Sequence, residues 1–273
     1  MATAPARDSS APTVGDMMRN WRRRRRMSQL GLALDADVSA RHLSFVESGR
    51  ARASREMLLR LADQLSMPLR ERNRLLLAGG FAPVHSEQTL DAPDMAAVRA
   101  AIDAVLKGCE PFPALAVDRH WRLVAANAGA AALMADVAPR LLAPPANVLR
   151  LSLDPEGLAP RIVNLAEWRG HLLGRLRAEA AASGDDALAR LHDELAAIPV
   201  PASRLPAGPP ARIAVPLTIR AADGAALSLI STTTVFGTAS DVTLSELTLE
   251  SFFPADESTR AWFLERGRGR SGA

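Results

Sequence analysis

Residues 28–50 read SQLGLALDADVSARHLSFVESGR, and the spacing inside this stretch leaves few folds open. Ser28 and Ser39 each precede a short run of helical periodicity. A serine hydroxyl in that place accepts a hydrogen bond from the free amides of a first helical turn. The stretch therefore reads as a helix over 28–35, a turn over 36–38 and a second helix over 39–47, with Gly49 just past its end. Ala33 supplies the small side chain that two tightly crossing helices need. Leu30, Val38, Leu43 and Val46 are predicted to form one buried stripe. That leaves Ala40, Arg41, His42 and Ser44 at the start and on the outer face of the second helix. This is the geometry of a helix-turn-helix whose second helix enters the major groove of double-stranded DNA. Arginine binds guanine edges bidentately, whereas histidine, serine and alanine make weaker or more varied base contacts.

The flanks extend the helical reading. A helix over 14–26 precedes the pair. Another starts after Ser54, with Met57, Leu58, Leu61, Ala62 and Leu65 at helical spacing, and one more covers 70–78 before Gly79-Gly80. The run NWRRRRRM lies at the end of the first. At 100° per residue Arg22 to Arg26 cannot share one direction. Some must be drawn outward on their long stems, so some are expected to reach phosphate and others Glu47, Asp35 or solvent. Charge follows the same division. Residues 1–82 hold 15 Arg against 8 Asp and Glu, so this third is strongly basic although the whole chain carries only +3. A basic head on a mildly acidic body points to a polyanion-binding module joined to something else. Residues 1–13, rich in Ala, Pro, Ser and Thr, read as disordered.

Beyond a polar connection over 82–93 and an amphipathic helix over 94–107 the period changes. PALAVDRHWRLVAANAGAAALM reads as strand, tight turn at Asp118-Arg119, strand, then a helix from Ala128. Helices follow over 160–180 and 185–197, and the run around 138–146 reads as a loop. A proline-rich loop, PVPASRLPAGPP, precedes three strand-like runs, RIAVPLTIR, AALSLISTTTVF and VTLSELTLESFF. Asp223-Gly224 marks a hairpin between the first two. The tail ERGRGRSGA reads as frayed. The simplest arrangement of that order is an antiparallel sheet with helices gathered on one side. The expected fold is thus an all-α helix-turn-helix domain followed by an α+β domain.

The search for chemistry is negative. The single cysteine, Cys109, permits no intrachain disulfide and no cysteine-rich metal site. The five histidines are scattered, and HExxH, GxSxG and P-loop patterns are absent from the sequence. No catalytic residue, metal or cofactor is expected, and the protein reads as a non-enzyme. Apolar runs fall short of the roughly 18 residues that span a bilayer, and small residues followed by arginines, with no apolar run between, lead us to expect no secretory signal. No membrane partner is therefore expected, and a cytoplasmic location is.

The first segment resembles the helix-turn-helix of the Cro/C1-type (XRE-family) repressors: VESGR at 46–50 matches the end of that family's recognition helix, and Gln29 opens the first helix of the pair. The resemblance implies that Gln29 touches phosphate, that Arg19, Arg22 and Arg23 lie nearest the phosphate-contacting first helix, with Arg50 and Arg52 as a second group, and that Glu47 ties the recognition helix to an arginine of the first helix. Where the family often has a left-handed glycine in the turn, this chain has Asp37. Asp118, Trp121 and Asn127 fill positions similar to the opening of a PAS-type domain. With RNRLLLAGGFAP at the junction, NVLRLSLDPEGL at 147–158 and NLAEWRGHLLGRLR at 164–177, the chain resembles the MmyB-like transcription regulators over about 14–265. It departs from them at Glu167-Trp168 and at Val215-Pro216. The implied domains are 14–82 for DNA binding, 83–105 as linker and connecting helix, and 106–265 as a PAS-like ligand-binding domain.

Ala114, Ala116, Val124, Ala126, Ala130, Leu133 and Met134, with Phe112, Trp121, Phe236, Phe252 and Phe253, would line an apolar pocket or equally fill a core. Trp168 offers an apolar face, and Arg169 a guanidinium for a carboxylate head. The candidate ligand residues are therefore Phe112, Trp121, Asn127, Met134, Trp168, Arg169 and Phe236, and the resemblance suggests a fatty acid or another hydrophobic small molecule. The helices containing GRLRAEA and RLHDELAA read as ordinary charged surfaces. The expected protein is a ligand-responsive transcription regulator, a homodimer on an inverted repeat, joined through the 94–107 helix or the body. The alternatives are a repressor whose second domain only dimerises, and an antitoxin-like interaction protein.

Overall fold

Four hydroxyls close the starts of four helices in the first part of the chain. Thr13, Ser28, Ser39 and Ser54 accept from the backbone N–H of Asp16, Gly31, His42 and Met57 at 3.2, 2.9, 3.3 and 3.2 Å. The computed structural model describes residues 12–199 and 215–270. Of residues 1–13, expected to be disordered, 1–11 lie outside the described residues, as do most of PVPASRLPAGPP and the first residues of RIAVPLTIR, whereas Thr13 caps the first helix. The chain divides into one unit running to Glu87, with Ser240–Val242, and a second made of Gln88–Ala239 and Thr243–Ala273.

The first unit holds α1 (Val14–Arg24), α2 (Gln29–Asp35), α3 (Ala40–Glu47), α4 (Arg55–Gln64) and α5 (Leu69–Ala78). Met18, Leu32, Leu43, Leu58, Leu61, Leu65, Leu75 and Leu76 are all but sealed from solvent and make its core. The predicted stripe holds at Leu43 and Val46. Val38 is only partly buried, and Leu30 is 59% exposed. Leu30 lies beyond the inward arc of α2, which is centred on Leu32 and Ala33. Asp37, in the turn between α2 and α3, has φ +51°. The left-handed conformation that glycine usually supplies is kept here by an aspartate.

α1 and α3 cross closely at Gly15. A Cβ on Gly15 would lie 2.5 Å from the carbonyl oxygen of Glu47 and 2.8 Å from that of Val46. Backbone cannot yield as a side chain can, so α1 and α3 would have to separate. Gly15→Ala is expected to destabilise the unit by about 1–3 kcal/mol, the usual cost of overpacking. Chemical denaturation of the full chain measures it, and a loss below about 0.5 kcal/mol, the level of an ordinary surface change, would mean that the crossing is not tight.

In the second unit β1 (Ala114–Val117), β2 (Leu123–Ala126), β3 (Leu217–Arg220), β4 (Ala226–Val235) and β5 (Thr248–Pro254) form an antiparallel sheet in the order β2-β1-β5-β4-β3. The β3–β4 hairpin turns through Gly224, at φ +87°. Its helices are α6 (Ala96–Gly108), α7 (Ala128–Leu133), α8 (Pro139–Leu142), α9 (Val148–Leu153), α10 (Leu165–Ser183), α11 (Asp186–Ala197), α12 (Val242–Ser245) and α13 (Glu257–Arg270). Strand alternation splits β1 between two cores. Leu115 and Val117 join α7 to α11, while Ala114 and Ala116 meet Ile102 and Leu106 of α6 on the other face. Helices thus cover both faces, not one, and the unit is an α+β, PAS-like fold.

Three local readings change. VTLSELTLESFF is not one strand: its first residues form α12, and β5 begins at Thr248. The tail read as frayed is helical in α13 as far as Arg270, anchored by Phe263, which is 4% exposed. The run around 138–146 contains the short α8. No helix among the described residues is long and apolar enough to cross a membrane.

Candidate nucleic-acid interface and ligand cavity

Glu47 ends α3 with a buried carboxylate. It receives the Arg22 Nε–H at 2.7 Å on Oε1, and on Oε2 both the Arg22 Nη2–H at 2.9 Å and the Gln29 Nε2–H at 2.8 Å. Burial alone would push this carboxyl's pKa up; the bonds from Arg22 and Gln29 hold it below the ordinary carboxylate range. One side chain therefore ties the last turn of α3 to α1 and to the first turn of α2. Arg19 also bonds the Glu47 carbonyl.

The arginine run divides by partner. Arg22 is spent on Glu47 and on the Met27 carbonyl. Arg25 donates to the carbonyls of Leu65 and Ser66 at 2.8 and 2.9 Å, satisfying the end of α4. The side chains of Arg23, Arg50 and Arg52 are exposed and find no partner among the described residues. On α3, Arg41 is exposed, its guanidinium 5.4 Å from the centre of the Phe45 ring. Ala40, His42 and Ser44 are half-buried. So Arg23, Arg41, Arg50 and Arg52 remain available to a polyanion, whereas Gln29, Arg19 and Arg22 are engaged in holding the helices together.

In the second unit a cavity of about 90 Å³ lies between the sheet's inner face and α7, α9 and α10. Trp121, Met134 and Trp168 line it. The other four candidate ligand residues lie elsewhere. Phe112 makes edge contacts with Phe253 and Phe263 at 6.0 and 5.9 Å. Asn127 caps α7 and bonds the backbone of Leu106, Phe112 and Ala114. Phe236 packs with α6 on the opposite face. Arg169 donates to the carbonyls of Leu195, Ala196 and Ile198 at the end of α11.

The cavity's polar end comes from Arg175, on a helix read as an ordinary charged surface, and from Glu250 in a run read only as a strand. Arg175 forks onto Glu250 at 2.7 and 3.1 Å and donates its Nε–H to Glu179 at 2.9 Å. Its guanidinium lies 4.4 Å from the Trp121 ring centre, and Trp121 Nε1–H reaches Glu179 at 2.8 Å. Burial disfavours the Arg175 charge, but the Glu250 bonds outweigh it and raise its pKa. One signal was in the sequence: Trp168, Leu172, Arg175 and Glu179 recur at the spacing of a single helix face, so two charged residues continue an apolar stripe. Nothing comparable marks Glu250, which is set opposite Thr233 only by the register of β4 and β5.

The family model for the MmyB-like transcription regulator ligand binding domain matches residues 98–264, and a helix-turn-helix model matches residues 18–72. No curated protein matches the chain. Among solved structures, an RNA-binding light-oxygen-voltage receptor aligns at 15% identity and a TM-score of 0.27, over 93% of this chain. The chain spans 62% of that receptor's length. With its larger unit matched almost from end to end, the chain belongs to the family that carries the MmyB-like transcription regulator ligand binding domain.

Proposed function

We propose that the protein is a cytoplasmic, sequence-specific transcription regulator of the Cro/C1 (XRE) type, not an enzyme, whose second unit senses a small hydrophobic ligand. The observation that carries the DNA-binding half is the division of labour on α3. Glu47 anchors its far end, and Arg41 stands exposed on its first turn. Arg41→Ala should cost about 1–3 kcal/mol on the preferred operator and much less on random duplex. Replacing Arg50 and Arg52 with glutamine should weaken binding to every sequence and lower the slope of log affinity against log salt by about 1 per lost phosphate contact. Fluorescence anisotropy over a salt series reads both. Equal losses on operator and random DNA would remove base reading from Arg41, and an unchanged slope would remove Arg50 and Arg52 from the phosphates.

The ligand-sensing half is supported by the apolar lining of the cavity and by the family. At about 90 Å³ the cavity is far smaller than the roughly 300–1,000 Å³ of a typical ligand site. A fatty-acid-like molecule would have to open it. A ligand that binds only an opened form shifts the protein toward that form by its difference in affinity. The regulator is read as a homodimer on an inverted repeat, because two recognition helices one DNA turn apart read twice the sequence. Light scattering with and without operator tests this; a monomer in both states would refute it.

A further inference from the structure

The cavity under α10 ends in an ion cluster whose charges do not cancel. Arg175 supplies one positive charge, and Glu179 and Glu250, both hydrogen-bonded to it, supply two negative ones. Glu250 is 4% exposed; each of its oxygens accepts from Arg175, and the single Thr233 hydroxyl proton is shared between them at 3.2 and 3.3 Å. Among the described residues, the charged groups lining the cavity are Arg175 and Glu250, beside the imidazole of His171. His171 stacks on Trp168 with ring centres 5.4 Å apart. Its ring nitrogens, and the Ser231 hydroxyl that also lines the cavity, have no hydrogen-bond partner among the described residues. Burial first, and then the nearby Arg175 charge, lower the His171 pKa, so the ring is neutral at ordinary pH and keeps one donor and one acceptor.

We propose that this cavity selects an uncharged hydrogen-bonding head group, a hydroxyl, ester or amide on an apolar chain, over a carboxylate. The proposal rests on the ligand-sensing reading above: it keeps the apolar chain and puts a neutral head in place of the fatty-acid carboxylate. A carboxylate drawn toward Arg175 would enter a cluster already one negative charge in excess. Around the buried Glu250 that repulsion is screened less than in water, whereas Glu179, 35% exposed and outside the cavity lining, contributes more weakly. The carboxylate would also have to give up its hydration, and the guanidinium needed to replace that water is already forked onto Glu250. A hydroxyl or carbonyl loses much less on leaving water. Its hydrogen bonds are matched by groups with both polarities to offer, the His171 ring and the Ser231 hydroxyl.

Decan-1-ol and decanoate carry the same chain and differ in the head. Titrated calorimetrically into the full-length protein, well above the carboxylate pKa range, decanol should bind about tenfold or more tightly than decanoate. Glu250→Gln removes the surplus charge while keeping an amide oxygen for Arg175, and should narrow that gap by strengthening decanoate. His171→Phe keeps a ring against Trp168 but deletes both nitrogens, and should weaken decanol about fivefold, the worth of one neutral hydrogen bond. Decanoate binding as tightly as decanol in the wild type would overturn the proposal. The ligand would then be taking Arg175 from Glu250, and the ligand-sensing reading would survive. Unchanged decanol affinity in His171→Phe would also overturn it, by placing the head elsewhere. If neither compound bound, both readings would fall together.

Discussion

Glu47→Ala is expected to unfold the helical unit before any effect on base reading can be measured. The carboxylate is 3% exposed at the residue level and is the shared acceptor for Arg22 and Gln29. Its removal leaves the Arg22 guanidinium, on a side chain only 12% exposed, without its counter-charge beneath α3. Breaking one side of a buried pair costs about 3–5 kcal/mol, a large part of what a small domain has in reserve. The full-length variant should lose operator and random-duplex binding alike, and the amides of α1 to α3 should exchange with solvent far faster than in the wild type. Near-normal amide protection would show that the clasp is dispensable. The same carboxylate carries a pH signature. Its folded pKa is lowered, so its contribution is fully present above the unfolded carboxylate value and is lost as pH falls through the folded one. The wild-type unit should therefore weaken in acid more steeply than Glu47→Gln.

Trp168→Ala should have a comparable effect in the other unit. The indole is 4% exposed, stacks on His171 and donates its Nε1–H to the Ser152 hydroxyl at 3.0 Å. Truncation removes a large buried surface and leaves a void continuous with the existing cavity. The expected loss is about 3–5 kcal/mol in urea denaturation followed by circular dichroism. The enlarged cavity should also accept small apolar molecules that the wild type excludes. Saturating benzene should therefore raise the melting temperature of the variant and leave that of the wild type nearly unchanged. A loss under about 1 kcal/mol, within the range of volume-conserving core changes, would mean that α10 collapses onto the sheet and closes the gap.

Most features that depend on neighbours along the chain were legible from residue order alone. Ser28, Ser39 and Ser54 cap helices because each hydroxyl meets an amide three residues away, an interaction that needs no tertiary context. The Asp223-Gly224 turn and the β1–β2 hairpin are local in the same sense. Motif spacing located α3 and its exposed Arg41. Tertiary structure decided the rest, because a charged side chain's role is set by what faces it across the fold. Five adjacent arginines look alike as sequence, yet Arg22 meets Glu47, Arg25 meets the end of α4 and Arg23 meets solvent. Gly15 matters through a backbone more than 30 residues away in sequence. Arg175 and Glu250 are 75 residues apart, and they meet only because strand register turns Glu250 inward toward α10. Burial of a charge is affordable only beside its partner, and periodicity along one chain segment carries no record of a partner that arrives from another.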